Sequence, residues 1–276
     1  MRPTSDGAFP RARKRFGQHF LEPVWARRVV DAVAPSSDEV FVEIGPGRAA
    51  MTGLLAERAA GIVACEIDRD LAGRLRDAGI PRVRVVEGDF LTLPAERLLD
   101  EVRQAGLEGR PLRVAGNLPY NVASPILFRL VDLVRHGFPA RDATVMLQRE
   151  VADRLLAQPG TRDYGVLTVL ITHRATVRRL VDLPPGAFRP APRVRSTVVG
   201  LTFHAPQPPV ADEERLAAVT QAIFSRRRKT VANALLAFGG TDSTRASRAL
   251  ATAGIAPARR PETLSVADIV RLVDVL

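Results

Sequence analysis

The 276-residue chain is predicted to fold as an α/β protein: a doubly wound, mostly parallel sheet followed by a small all-helical module. Three observations carry that expectation. Short β-branched runs alternate with helical stretches from residue 40 to residue 157, at the spacing of successive βα units. A proline-rich segment, Ala205-Pro206-Gln207-Pro208-Pro209, then interrupts the pattern, and only helical periodicity follows it. Hydrophobic residues make up 46% of the chain and charged residues 25%, which supplies a sizeable core and argues against wholesale disorder.

The elements follow in order. Val40-Phe41-Val42-Glu43-Ile44 reads as a strand running into Gly-Pro-Gly, with a helix over 49–58. Strands are expected at 61–67, 83–87, 112–115 and 143–147, each followed by a helix, over 69–78, 95–104, 125–135 and 150–157. Right-handed crossovers at this spacing make the strands parallel. Two later β-rich runs, 176–183 and 196–203, are expected to pair antiparallel at one edge. Past the prolines, 213–236 shows an apolar helical face at Leu216, Val219, Ile223, Val231 and Leu235 and ends before Gly239-Gly240. Two further helices are expected at 243–253 and 265–275. The predicted division is a sheet domain over 1–205, opening with a basic segment at 1–20, and a helical domain over 206–276.

Several function classes are disfavoured at once. No apolar stretch reaches the roughly 18 residues of a membrane span, and the basic N-terminal residues are not followed by the apolar run of a secretory signal. A single cysteine, Cys65, forms no internal disulfide and belongs to no metal-binding cluster. A cytoplasmic monomer without a metal site is the expectation. The net charge of +10 favours a polyanionic partner, nucleic acid before an anionic membrane. With 38 arginines against two lysines, the excess could instead reflect genome composition. Its placement is more telling: both lysines fall in dense basic runs, Arg13-Lys14-Arg15 and Arg226-Arg227-Arg228-Lys229, read here as RNA-binding.

In open parallel sheets, ligands bind at the carboxyl ends of the strands. There the chain places Glu43, Glu66, Asp89 and Asn117, at intervals of 23, 23 and 28 residues. Any one alone reads as a cap or turn residue; four in phase read as a crevice. Gly45 and Gly47 let backbone approach a ligand. Glu66, 19 residues beyond Gly47, is spaced to accept both hydroxyls of a ribose. Pro46 removes an amide donor that a pyrophosphate would need, and Asp89 offers a carboxylate to an adenine amino group. A nucleoside bearing one carboxylate, as in S-adenosylmethionine, fits better than a dinucleotide.

Asn117-Leu118-Pro119-Tyr120 is the sharpest signal. An exocyclic adenine amine is a poor nucleophile because its lone pair is delocalised into the ring. The Asn117 side-chain oxygen and a nearby backbone carbonyl could accept its two N–H groups and free that pair. Pro119 and Pro125 would stiffen the loop, and the Tyr120 ring would stack on the base. The blander reading, a proline turn with an inward aromatic, fits less well beside a nucleoside crevice.

These residues carry a resemblance. Lys14-Arg15-Phe16-Gly17-Gln18-His19-Phe20-Leu21, Glu43-Ile44-Gly45-Pro46-Gly47, Gly88-Asp89-Phe90-Leu91 and Asn117-Leu118-Pro119-Tyr120-Asn121 occur in this order. Pro184-Pro185-Gly186-Ala187-Phe188-Arg189-Pro190 and Arg227-Arg228-Lys229-Thr230 follow. The chain resembles the ribosomal RNA adenine N6,N6-dimethyltransferases over nearly its whole length, and among them the bacterial small-subunit enzymes. The resemblance implies a Rossmann-like class I methyltransferase sheet of seven mostly parallel strands with a helical C-terminal domain. It implies S-adenosylmethionine contacts from His19, Leu21, Gly45, Gly47, Glu66, Asp89, Phe90 and Asn117. It further implies that Asn117, Leu118, Pro119 and Tyr120 position the target amine while Phe188 covers the base's other face. The implied reaction dimethylates two adjacent adenosines in a hairpin loop near the 3′ end of small-subunit RNA, late in assembly of the 30S subunit.

Three positions depart from the family pattern. His19 stands where Asn is usual, Ala49 where a third glycine is usual, and Arg195 where an acid is usual. Ala49, as a good helix former, is expected to tighten the first helical turn and to weaken cofactor binding. Two rival functions stay compatible with the sequence: a macrolide-resistance type methyltransferase of large-subunit RNA, and a non-catalytic RNA-binding assembly or transcription factor that kept the fold.

Overall fold

The computed structural model describes residues 19–276; the predicted RNA contacts Arg13, Lys14 and Arg15 lie outside the described residues. Strand β1 (Phe20–Leu21) leads into α1 (Pro23–Val33), then β2 (Val40–Ile44), α2 (Thr52–Arg58), β3 (Gly61–Glu66) and α3 (Arg69–Asp77). The alternation continues through β4 (Val83–Glu87), α4 (Ala95–Gln104), β5 (Leu112–Asn117), α5 (Ala123–Arg135), β6 (Ala140–Gln148) and α6 (Arg149–Leu155). After α7 (Val166–Thr172) come β7 (Ala175–Leu183), β8 (Phe188–Arg189) and β9 (Ser196–Phe203). The chain ends in α8 (Glu213–Ser225), α9 (Val231–Leu235), α10 (Ser243–Thr252) and α11 (Val266–Val275).

Seven strands form one sheet in the order β4-β3-β2-β5-β6-β9-β7, and the pairings from β4 to β6 are parallel. The strand order reverses between β2 and β5, so their carboxyl ends diverge into a crevice. Gly116 brings those two ends close: a Cβ there would lie 2.7 Å from the Ile44 carbonyl oxygen, nearer than real side chains approach. A second, two-stranded sheet pairs β1 antiparallel with β8, Phe20 opposite Arg189 and Leu21 opposite Phe188.

Helix α1 opens on Pro23, whose fixed φ suits a first helical position, and buries Ala26, Val29, Val30 and Val33 along one stripe. They join Phe41, Leu55, Ile62 and Met146 in the core beneath the sheet. Burying each valine contributes about 1.5–3 kcal/mol.

Two compact units emerge. One holds the chain up to Arg149 together with Arg179–Leu201; the other holds Glu150–Arg178 and Thr202–Leu276. A single cut near residue 205 therefore misses 150–178. Helix α7 packs on α8, and Tyr164 and Val169 sit in the same core as Leu216, Val219, Ile223 and Leu250. The apolar, β-branched stretch of α7 carries little helical signal of its own, and this packing decides its structure. The helix expected over 213–236 is likewise two helices. Thr230 caps α9 by accepting from the Asn233 amide, and 226–229 form the intervening turn. No helix among the described residues is long and apolar enough to cross a membrane.

Candidate active site

The crevice at the ends of β2, β3 and β5 is a cleft of roughly 740 Å³, partly open to solvent. It gathers predicted residues from four stretches of chain: His19 and Leu21, Gly45 and Gly47, Glu66, and Asn117 to Tyr120. Phe20, Arg48, Met51 and Ile67 complete much of its wall and carried no separate signal. Ile67, expected to end a strand, instead lies past β3, 44% exposed, and presents an apolar surface beside Glu66. Asp89, Phe90 and Phe188 are not among the lining residues. Asp89 caps its own turn, its Oδ1 accepting from the Leu91 amide at 3.0 Å, and Phe90 is buried. Phe188 is fully buried in the core, because its pairing with Leu21 turns the ring inward and leaves Arg189 exposed. The expectation that Phe188 covers a base does not match that placement.

Glycine supplies the floor. Gly45 and Gly47 take φ of +66° and +58°, and a Cβ on Gly47 would press on the Phe20 ring at 3.2 Å. The Arg48 guanidinium lies over that ring's face, 4.1 Å from its centroid. Glu66 is held from both sides: Oε2 accepts from the Gly47 amide at 3.0 Å and Oε1 from the Asp68 amide at 2.9 Å. Burial raises its pKa, and those amides oppose the rise. Glu43 is 2% exposed, and its Oε2 has no hydrogen-bond partner. Burial pushes this carboxyl up to about 7, the Thr52 hydroxyl opposing and the Glu66 charge adding to the rise. Two buried acids in one cleft favour a ligand rich in hydroxyl and ammonium donors. S-adenosylmethionine fits on that ground, since its ribose suits Glu66 and its ammonium suits the unpartnered Glu43 oxygen.

The Asn-Leu-Pro-Tyr segment is fixed at each end. Asn117 closes β5 opposite Met146, and the Leu118 amide bonds the Met146 carbonyl while its side chain is buried. The Asn117 Nδ2 donates to the His19 carbonyl at 2.9 Å, which leaves Oδ1 as the acceptor. Tyr120 stacks on the His19 imidazole at 5.2 Å between centroids, and its hydroxyl shares a 2.7 Å hydrogen bond with Ser196. Burial raises the Tyr120 pKa, so its hydroxyl stays protonated at neutral pH. His19 in turn donates from Nδ1 to the Pro190 carbonyl at 2.7 Å. His19 thus touches the cleft through its backbone carbonyl as well as its ring.

In the helical unit, the basic run occupies the turn between α8 and α9. Arg226, Arg228 and Lys229 are exposed, while Arg227 bonds the Thr161 carbonyl at 3.3 Å and pairs with Glu262 at 3.8 Å.

Comparison with known proteins agrees with this geometry. The family model described as "Ribosomal RNA adenine dimethylase" matches residues 10–276. Ribosomal RNA small subunit methyltransferase A of Aromatoleum aromaticum is 44% identical over 265 residues, covering 95% of this chain and 93% of that protein. The protein of that name from Laribacter hongkongensis is 41% identical, with 94% of each chain covered. Among solved structures, a dimethyladenosine transferase from Plasmodium falciparum shares the fold at a TM-score of 0.73 and 22% identity, covering 92% of this chain and 96% of that one. The 23S rRNA methyltransferase ErmE aligns at a TM-score of 0.63 and 26% identity, covering 93% and 99%. The chain belongs to the ribosomal RNA adenine dimethylase family.

Proposed function

We propose that the protein dimethylates the N6 amino groups of two adjacent adenosines in a hairpin loop near the 3′ end of small-subunit ribosomal RNA, using S-adenosylmethionine. The observation that carries this reading is the Asn117 amide, turned by the His19 carbonyl so that Oδ1 is the free acceptor at the rim of a cleft that also holds Glu43 and Glu66. The relatives named small subunit methyltransferase A, at 41–44% identity over nearly the whole chain, favour the small-subunit substrate. The reading extends to a monomer acting on assembling 30S subunits in the cytoplasm.

S-adenosylmethionine supplies a methyl group already activated by its sulfonium charge, so no strong base is required. In this reading Glu66 accepts the ribose hydroxyls and Glu43 the ammonium. His19, Leu21, Gly45 and Gly47 shape the wall around them. The Asp89 carboxylate would accept from the adenine amine of the cofactor, with Phe90 buried behind it. Asn117 Oδ1 and a nearby backbone carbonyl draw the acceptor amine toward tetrahedral geometry. The lone pair so freed would attack the activated methyl, with the amine proton lost to solvent afterwards. Tyr120 offers a stacking face to the acceptor base. A base must leave its stack to reach the cleft, which costs a few kcal/mol and least for a loop nucleotide.

Radiolabelled methyl transfer to unmethylated small and large subunits, followed by primer extension, tests the assignment. Label on the small subunit with two adjacent stops is expected. Label on the large subunit would indicate the macrolide-resistance type of enzyme instead. RNA binding without any label would indicate a non-catalytic factor.

A further inference from the structure

The cleft of the sheet unit holds two buried carboxyls, Glu43 and Glu66, yet the ligand read into it carries a carboxylate of its own. S-adenosylmethionine ends in an amino acid whose ammonium and carboxylate share one carbon. The partner of the ammonium therefore fixes where a partner for the carboxylate has to be. Glu43 stands at the ammonium in the reading above, so the second partner must face the same end of the cleft.

The backbone there has few donors left to give. Pro46 has no N–H. The Gly45 amide bonds the Cys65 carbonyl at 2.9 Å, the Gly47 amide bonds the Glu66 carboxylate at 3.0 Å, and the Ala49 amide bonds the Pro46 carbonyl at 2.9 Å. Side-chain donors on the far wall are engaged too: Asn117 Nδ2 with the His19 carbonyl, and His19 Nδ1 with the Pro190 carbonyl. The Tyr120 hydroxyl shares its hydrogen bond with Ser196. Among the described lining residues, Arg48 is the only arginine or lysine, and so the one side chain with a permanent positive charge.

Its position is built rather than incidental. Arg48 follows Gly47 in the loop that leaves β2, the strand that bears Glu43. Its guanidinium lies over the Phe20 ring, 4.1 Å from the centroid, and the same ring lies against Gly47, where an added Cβ would meet it at 3.2 Å. Contact with an aromatic face holds a guanidinium in place while its N–H donors stay in its own plane, as a fork that matches the two oxygens of a carboxylate. The fork has donors enough to take a carboxylate beside another partner. Arg48 is half-buried, which limits competition from water.

We propose that Arg48 is the carboxylate-binding residue of the cleft, holding the amino-acid end of S-adenosylmethionine through a two-pronged ion pair while Glu43 holds the ammonium on the same carbon. The proposal rests on the S-adenosylmethionine reading above and adds the residue that selects an intact amino acid. It also sets one cation of the cleft against the one anionic group of the ligand.

The test is calorimetry of the full-length protein with two ligands, S-adenosylmethionine and its decarboxylated form, which keeps the ribose, the sulfonium and the amine. The proteins are the wild type, Arg48→Gln, Arg48→Lys and His19→Gln. The readout is the ratio of the two affinities, because a folding defect or a displaced Phe20 ring weakens both ligands alike. A charge-assisted pair contributes roughly tenfold in affinity, so the preference for the intact amino acid should fall by that factor in Arg48→Gln. Arg48→Lys, which keeps the charge without the fork, should fall between that variant and the wild type. An unchanged ratio in Arg48→Gln would overturn the proposal. Equal weakening of both ligands would reduce the arginine to a prop for Phe20, and a ratio that shifts only in His19→Gln would pass the carboxylate to the imidazole. Each of these results leaves the cofactor reading standing, whereas wild-type protein that binds neither ligand would remove that reading and the proposal with it.

Discussion

The Asn117 side chain donates to the backbone carbonyl of His19, 98 residues earlier, at 2.9 Å. An asparagine amide presents one donor end and one acceptor end, so fixing the first aims the second. The chemistry assigned to Asn117 needs an acceptor, and the segment ahead of β1 supplies the orientation. Asn117→Asp keeps the shape but sets a carboxylate oxygen against the His19 carbonyl, two acceptors with no proton between them. Losing such a preorganised group costs about 10²–10³ in rate. Single-turnover methyl transfer should fall by that order, with cofactor affinity by calorimetry reduced far less. Near wild-type turnover would remove Asn117 from the mechanism.

Tyr120 depends on Ser196 in the same way. The serine is fully buried at the start of β9, and its hydroxyl is the hydrogen-bonding partner of the Tyr120 hydroxyl at 2.7 Å. Ser196→Ala leaves that phenol unpaired in a half-buried site, at a cost of about 1–3 kcal/mol. A wandering ring should weaken stacking of the acceptor base and raise the KM for RNA several-fold while the KM for cofactor holds. Ser196→Thr, which retains a hydroxyl, should recover most of the loss. An RNA KM that does not move in Ser196→Ala would show the bond to be incidental.

The rim of the cleft is legible in the sequence because strand-end positions recur at the period of a βα unit, and that period alone gathers Glu43, Glu66 and Asn117. Ser196 and the His19 carbonyl are not legible. Their partners lie 76 and 98 residues away, and nothing local to a buried serine or a backbone oxygen records such a contact. Phe188 misleads for a related reason: an aromatic in a motif reads as a stacking surface, yet the β1–β8 register decides which way it faces. The α8–α9 break is present in the sequence as Thr230 followed by Asn233, a capping signal outweighed by the continuous apolar stripe on either side. The placement of 150–178 with the C-terminal helices has no local marker, because it follows from packing against α8.

Glu43 makes stability depend on pH in a predictable direction. Its carboxyl is raised to about 7 in the fold, chiefly by burial, from an ordinary value of 4.5. Between those two values the unfolded chain has released the proton and the folded chain keeps it. Stability contributed by the neutral acid is therefore complete below about 4.5, and declines as pH climbs to about 7. The span is on the order of 3 kcal/mol. Glu43→Gln keeps a neutral side chain at every pH, so its melting temperature should fall less between pH 5 and pH 8 than that of the wild type. Parallel melting curves across that range would show that Glu43 ionises normally. In the same variant, cofactor affinity should drop, since an amide cannot compensate an ammonium.

Ala49 carries backbone strain. The sequence predicts that it tightens the first turn of a helix, but α2 begins at Thr52 and Ala49 sits in the preceding turn with φ of +61°. Its amide bonds the Pro46 carbonyl at 2.9 Å, which holds the turn in that left-handed conformation. The conformation costs an L-residue roughly 1–2 kcal/mol, whereas glycine adopts it freely. Glycine also enlarges the unfolded ensemble, which offsets about 0.4–1 kcal/mol of that gain. The balance favours glycine, so Ala49→Gly should raise the melting temperature by about 2–4 °C per kcal/mol of net gain. Ala49 does not line the cleft, whose wall at this point comes from Arg48, Ala50 and Met51. Calorimetry should accordingly find cofactor affinity unchanged in Ala49→Gly, against the weakening inferred from the sequence. A lower melting temperature would mean that the alanine methyl, packed against the core under the sheet, contributes more than its backbone costs.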